Sequence, residues 1–445
     1  MAGVFRDLGR VGYDRPGRGA APAPLAAVEN RTERIAHAMS PRTWSRAIAA
    51  VVALLSPLAA GPARAETCMS PFVKRLDRPE KYLYLFCVDA DARDNDFVAV
   101  IDVDADSPTH GTITHTLDLG TRGNETHHWG YTDDRTRIWA GGLKSSRIWL
   151  LDVATDPARP RVEKILDDVP KSTGLSGPHT YYALPGRMLL SFLGAADGGL
   201  PAGLAEFTND GRFIRTLAHP AEAPYGYDVA VKPERNRMIT SSFTPPRNYL
   251  KPFERMDLKD FGGEMVVWDF KARKPLQVAK AGAAPLEIRW SLKPDADHGF
   301  TNCALDNSIW LFRGKGDGSG PYTFKKVADT AALPADLRQS PDDRYLFVSC
   351  FGGNEIQQWD VTDPERPKLF SSVSPGVQPN MMHVTGDGKR MYVSNSLLST
   401  LDHSGRFWVR LVHVGVDGMK VDPFFNVDLN KLPTGPARGH DMLLN

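Results

Sequence analysis

Cysteine is scarce in this chain: Cys68, Cys87, Cys303 and Cys350 are all there is in 445 residues. Four thiols allow at most two disulfides, too few to act as the framework of a protein this size. Cys68 and Cys87 are free to pair, and nothing in the sequence decides whether they do. No Cys-x-x-Cys occurs, which removes dithiol redox motifs and Cys-x-x-Cys-His haem attachment. A Gly-x-Ser-x-Gly elbow and a phosphate-cradling glycine-rich loop are missing as well. Charge of either sign is not in excess, at a net +1, so neither a nucleic-acid nor a membrane partner is suggested.

Long apolar runs are also missing. The one at Ala47 to Ala60 is too short for a comfortable membrane span. It follows Met39-Ser-Pro-Arg-Thr-Trp-Ser-Arg46 and precedes Ala63-Arg64-Ala65, the three-part layout of a secretory leader. The expectation is a start at Met39, cleavage after Ala65, and residues 1–38 as an extension that does not belong to the protein. Residues 1–65 carry nine arginines against four acidic groups, so the mature chain, 66–445, has a net charge of about −4. It is expected in an oxidising extracytoplasmic compartment, most simply a bacterial periplasm, without stable membrane insertion.

What the mature chain has in quantity is short strand-like runs between Gly, Pro, Asp and Asn clusters, with almost no helical periodicity. One unit recurs. Ser146-Arg-Ile-Trp-Leu-Leu-Asp-Val153 followed by Asp156-Pro-Ala-Arg-Pro160 matches Asn354-Glu-Ile-Gln-Gln-Trp-Asp-Val361 followed by Asp363-Pro-Glu-Arg-Pro367. Looser copies begin near Asp96, Gly203, Gly263, Asn307 and Val409. Seven units of about four strands predict an all-β, seven-bladed propeller. The first unit lacks an innermost strand, and Gly439 to Leu444 is left over after the seventh. The economical solution has this C-terminal strand complete the first blade and close the ring.

Histidines fall at telling places in that frame. His127 lies six residues before Asp133, in the turn after the innermost strand of blade two, and His179 lies six before Pro185 in blade three. His440 opens the innermost strand of blade one. Three neighbouring blades thus start with histidine at one mouth of one channel, a geometric reason for His127, His128, His179 and His440 to converge. Imidazole ligands favour copper, zinc, iron or nickel, with copper highest in the divalent order. Adjacent strand residues point to opposite faces, so His127 and His128 both reach one metal only if the strand begins irregularly. His383 is a weaker candidate, three residues nearer its turn. His110, His115, His219, His298 and His403 read as surface residues. Glu287 and Asp441 are candidates to orient ligating imidazoles or to act as a base. Cys87, Cys303 and Cys350 read first as core thiols, with Cys87 also a candidate thiol or selenium site.

The motifs His127-His-Trp-Gly130, Ser145 to Val153, Tyr225-Gly-Tyr-Asp-Val229, Pro285-Leu-Glu-Ile-Arg-Trp290, Pro294 to Leu305 and Gly435-Pro-Ala-Arg-Gly-His-Asp441 together resemble the selenium-binding protein / methanethiol oxidase family. The likeness runs through nearly all of the mature chain. It implies a copper-dependent oxidase that converts methanethiol, O2 and water into formaldehyde, hydrogen sulfide and hydrogen peroxide. It also implies copper ligands at His127, His128, His179 and His440, and a selenium-linked cysteine at Cys87. The chain departs from animal members in being shorter around 320–380, in Asp441 where Glu is common, and in Tyr181-Tyr182 after His179-Thr180. A non-enzymatic selenium or copper carrier is the rival reading. A propeller lactonase would want carboxylate and Asn ligands where this chain has histidines.

Overall fold

The computed structural model describes residues 70–316 and 320–445, all within one compact unit, Arg64–Asn445. The expected leader with its start at Met39 and cut after Ala65, and Cys68, lie outside the described residues. The described chain forms seven four-stranded antiparallel sheets. Each runs from an innermost to an outermost strand, and the innermost strands touch one another in ring order. The seven-bladed propeller expected from the repeat is therefore the fold.

Closure works as the leftover strand suggested. Ala437–Leu444 is the innermost strand of blade one and pairs with Tyr82–Asp89, from Leu83 opposite Leu444 to Asp89 opposite Ala437. It begins two residues earlier than the sequence indicated, so His440 sits inside the strand and not at its start. The ring is further tied at its last residue, where Tyr82 and the Asn445 backbone exchange hydrogen bonds.

The strand sequences explain the layering. The middle strands, such as Phe97–Asp102 and Tyr345–Cys350, read as continuous apolar runs because both faces are buried. Outermost strands such as Ile113–Asp118 alternate between half-buried and exposed residues. The core is a set of layers, one at each blade interface. Between blades one and two, for example, Tyr84, Phe86 and Val100 meet Trp129, Tyr131 and Trp149. The other six interfaces have their own layers.

The innermost strands are irregular at a common level. Blade two pairs Thr126 with Gly142 and Trp129 with Ala140, so three residues advance against two and His127-His128 fall in a bulge. Blade three does the same at His179-Thr180, blade five at Leu286-Glu287 and blade one at His440-Asp441. Three residues before His128, Thr180, Glu287 and Asp336 stand Glu125 (φ 56°), Gly177 (φ 66°), Ala284 (φ 54°) and Leu333 (φ 52°), all left-handed. A β-bulge re-aims side chains that a regular strand would send to opposite faces. This is the irregular start that both histidines of the pair require.

Serine and asparagine side chains stitch these bulges to the next blade. Ser241 Oγ accepts from the Asp228 N–H and donates to the Leu286 carbonyl. Asn302 accepts from the Glu287 N–H and donates to the Pro334 carbonyl. Ser394 Oγ donates to the His440 carbonyl.

Two loops cap the mouth at this level, residues 241–263 of blade four and 395–407 of blade seven. They meet where Thr400 Oγ1 donates to the Tyr249 carbonyl (3.2 Å). Tyr249 Oη donates to the Leu143 carbonyl, and the Ser399 N–H donates to Glu125 Oε1. At the opposite mouth the segment from Ser70 runs along the turns. Ser70 Oγ donates to the Ala183 carbonyl and the Lys74 N–H to the Asp133 carbonyl.

Candidate metal centre

The four histidines singled out in the sequence come together. The His127 and His440 rings stack at 3.7 Å between centroids, His128 is 4.7 Å from His127 and 4.9 Å from His440, and His179 is 4.2 Å from His128. Ring nitrogens of His127, His128 and His440 lie within 4.8 Å of one another. All four side chains are buried.

Hydrogen bonds set which nitrogen is available in two of the four rings. His128 Nδ1 faces Asp441 Oδ2 at 3.2 Å and His440 Nδ1 faces the Ser396 carbonyl at 2.7 Å. Both acceptors favour the proton on Nδ1, the Ser396 carbonyl lying nearer to His440 Nδ1 than the Asn380 amide at 3.2 Å, which leaves Nε2 with its lone pair. His179 Nδ1 faces Thr180 Oγ1 at 3.2 Å. The nitrogens left without a protein partner are His128 Nε2, His179 Nε2, His440 Nε2 and His127 Nδ1. Four buried, unsatisfied ring nitrogens in one cluster are costly unless something binds them. A metal ion that takes nitrogen ligands fits the set of His127, His128 and His440, whose ring nitrogens lie within 4.8 Å of one another, with the His179 ring beside His128.

For three of the four the charges agree with that use. Burial holds His127 and His179 well below the ordinary imidazole range, and the neighbouring histidines add to this. Burial likewise pushes His440 down to about 3. Neutral imidazole is the form that ligates. Burial also opposes charge on His128, but the Asp441 hydrogen bond and charge, with Glu287 behind them, outweigh it and raise that pKa.

The profile of the 56kDa selenium binding protein family (SBP56) matches residues 64–445. The chain belongs to that family.

Among curated relatives of this family member, the methanethiol oxidase of Hyphomicrobium sp is 36% identical over 399 residues, covering 85% of this chain and 89% of the relative. The Homo sapiens methanethiol oxidase is 29% identical, covering 82% and 92%. Among solved structures, a hypothetical selenium-binding protein from Sulfolobus tokodaii superposes with a TM-score of 0.75 at 26% identity, covering 83% of this chain and 94% of that one. A periplasmic gluconolactonase from Pseudomonas aeruginosa, at 13% identity and a TM-score of 0.57, shares the fold.

Around the histidines this SBP56 member places the two carboxylates named from its sequence, in different roles. Asp441 accepts from His128 Nδ1 and the Met442 N–H. Burial disfavours its charge, yet the His128 contact prevails and lowers its pKa. These contacts place Asp441 against the His128 ring. Glu287 lies with Oε1 4.0 Å from His128 Nε2 while Arg289 donates to its Oε2 at 2.6 Å. Burial pushes Glu287 up to about 7, against Arg289 and with the help of Asp228 and Asp336.

Sequence reasoning missed the rest of that charged group. Arg289 also contacts Asp228 Oδ2 at 3.3 Å and Asp336 Oδ1 at 3.6 Å, and Arg338 contacts Asp336 Oδ2 at 3.0 Å. The signal that could have found the acids is a repeated Asp followed by an aliphatic residue: Asp228-Val229, Asp336-Leu337 and Asp441-Met442. In each, one carboxylate oxygen accepts the next residue's N–H, and the other reaches the following blade, at the Ile288 N–H, the Met382 N–H and His128 Nδ1 respectively. A cavity of about 490 Å³ links this group to the far mouth, lined by His128, Glu287 and Asp441 at one end and by Pro233, Pro294 and Pro341 at the other.

The remaining candidates sit elsewhere. His383 is buried beyond the bulge level, its Nδ1 against the Met442 carbonyl at 3.0 Å. His219 is not a surface residue: it is buried, with Nδ1 donating to the Tyr225 carbonyl at 2.8 Å, because loop 219–228 folds back under it. His298 is half-buried at a strand start. Cys87, Cys303 and Cys350 are free, buried thiols. Cys87 lies in the apolar layer between blades seven and one, and burial pushes its pKa up. A selenium or thiol site needs an exposed, easily ionised sulfur, and this placement provides neither.

Proposed function

We propose that this SBP56 member is a copper-dependent methanethiol oxidase that turns methanethiol, O2 and water into formaldehyde, hydrogen sulfide and hydrogen peroxide. The observation that carries the reading is the cluster of four buried imidazoles with unsatisfied nitrogens, in a chain 36% identical to a methanethiol oxidase. His128, His440, His179 and His127 would hold the ion, the first three through Nε2 and the last through Nδ1. Copper bound there supplies a one-electron couple and favours the thiolate form of a bound thiol.

The chain's own residues supply the rest. Asp441 and the Ser396 carbonyl hold His128 and His440 with their lone pairs inward. Glu287, with a pKa of about 7 and a place on the cavity wall, can take a thiol proton at neutral pH and return it. The cavity gives a small thiol and O2 a route to His128, while the two capping loops cover the other side. The leader layout supports a periplasmic place for the enzyme.

The test is copper content together with methanethiol-dependent O2 uptake, in wild type, His127→Ala and Cys87→Ala. The reading expects copper and uptake in wild type and Cys87→Ala, and loss of uptake by at least 100-fold in His127→Ala. A protein that carries no copper, or uptake indifferent to His127, would leave a non-enzymatic carrier as the better reading.

A further inference from the structure

Three of the four imidazoles have a partner on the ring nitrogen that faces away from the cluster, and the partners differ in kind. His128 has a carboxylate and His440, at its shorter contact, a backbone carbonyl, both of which accept; the Asn380 amide lies farther from His440, at 3.2 Å. His179 has a hydroxyl, Thr180 Oγ1, which can accept or donate. On its own that contact leaves the tautomer of His179 open, and with it the availability of Nε2.

The hydroxyl is constrained in turn. Thr180 Oγ1 lies 2.8 Å from Asp228 Oδ1. Asp228 Oδ1 already accepts the Val229 N–H at 2.7 Å, while Oδ2 accepts the Ile288 N–H at 2.8 Å and faces Arg289 Nη1 at 3.3 Å. A carboxylate surrounded by these donors is an acceptor, so the Thr180 proton points at Asp228. The lone pairs of Oγ1 then face His179, and the His179 proton must sit on Nδ1. Asp228 is also the counterpart of Asp441 in the repeat. Asp441 reaches its histidine directly across to the next blade, whereas Asp228 reaches back to blade three through one hydroxyl.

We propose that Thr180 and Asp228 are positioning residues that set the His179 tautomer, so that Nε2 is delivered as a ligand. This rests on the metal-site reading above. Thr180 is half-buried on the cavity wall, so its side chain can be changed without opening a blade interface.

The experiment compares wild type, Thr180→Ser and Thr180→Val. Valine keeps the shape and loses the hydroxyl; serine keeps the hydroxyl and loses a methyl. Side-chain 15N NMR of the metal-free protein reads the His179 tautomer, and competition titration with Cu2+ and with Zn2+ reads affinity. The expected result is an Nδ1-protonated His179 in wild type and Thr180→Ser. Thr180→Val should lose that single tautomer and bind about 10–100-fold more weakly, the usual effect of removing a partner behind a ligating histidine. A purely packing role for Thr180 gives the opposite order, with valine tolerated and serine not, and would overturn the proposal. So would an Nε2-protonated His179 in wild type, which needs no variant to fold. If wild type binds neither metal, the copper reading fails while the tautomer measurement still decides this one.

Discussion

At the scale of single residues, the histidines divide by what lies behind them. His127, His128, His179 and His440 leave nitrogens unsatisfied toward one another, whereas His219 donates to the Tyr225 carbonyl and is simply buried. Burial pushes His219 down to about 4, against about 6.5 in an unfolded chain. Between those values the unfolded chain binds the proton and the folded one does not, so His219 contributes nothing adverse above pH 6.5. As pH falls from 6.5 to 4 it destabilises the fold by up to about 3 kcal/mol. Thermal melts of wild type and His219→Gln at pH 7.5 and pH 5 check this: the drop in Tm on acidification should be smaller in the variant. An equal drop in both would contradict the account. The surface assignment of His219 failed because a histidine among Pro, Ala and Glu reads as a loop residue, and no local pattern announces that residues 219–228 curl under its ring.

At the scale of elements, the repeat was legible because strand composition and turn chemistry recur in register. Ile148-Trp-Leu-Leu-Asp152 and Glu355-Ile-Gln-Gln-Trp-Asp360 are the third strands of their blades, as the repeat implied. The bulges were not legible. Their left-handed residues include Glu125, Ala284 and Leu333, types with no preference for that backbone, held there by the ring around them. The bulge of blade two also depends on close approach between blades. A Cβ added at Gly130 would stand 2.3 Å from the Tyr181 carbonyl oxygen of blade three, a backbone atom that cannot step aside. Gly130→Ala is therefore expected to cost about 1–3 kcal/mol, the range for overpacking, and to weaken metal binding by displacing the His127-His128 pair. Denaturant melts and a metal titration measure both; unchanged values would mean that the two blades are not held at that distance.

At the scale of the whole molecule, closure and chemistry share one strand. Ala437–Leu444 completes blade one, and it also brings His440 and Asp441 to the cluster. Ending the chain at residue 436 should remove the ring's closing sheet edge and two site residues together. The expected outcome is loss of the cooperative thermal transition by circular dichroism. A truncated protein that melts like wild type would show that the ring does not depend on this strand. This arrangement was legible in the repeat itself, because a strand left over after the seventh unit has only the first blade to complete. The pairing of Glu287 with Arg289, Asp228 and Asp336 was not, because the repeated Asp-aliphatic step marks the acids but does not say which arginine meets them across blades.

The central claim is that His127, His128, His179 and His440 are the ligands of a catalytic copper ion. X-ray absorption at the copper edge of the loaded protein tests it most directly. The account predicts a first shell of three or four imidazole nitrogens with no protein sulfur, altered in His127→Ala and His128→Ala. A sulfur ligand from a protein thiol, or a spectrum unchanged when either histidine is removed, would contradict it.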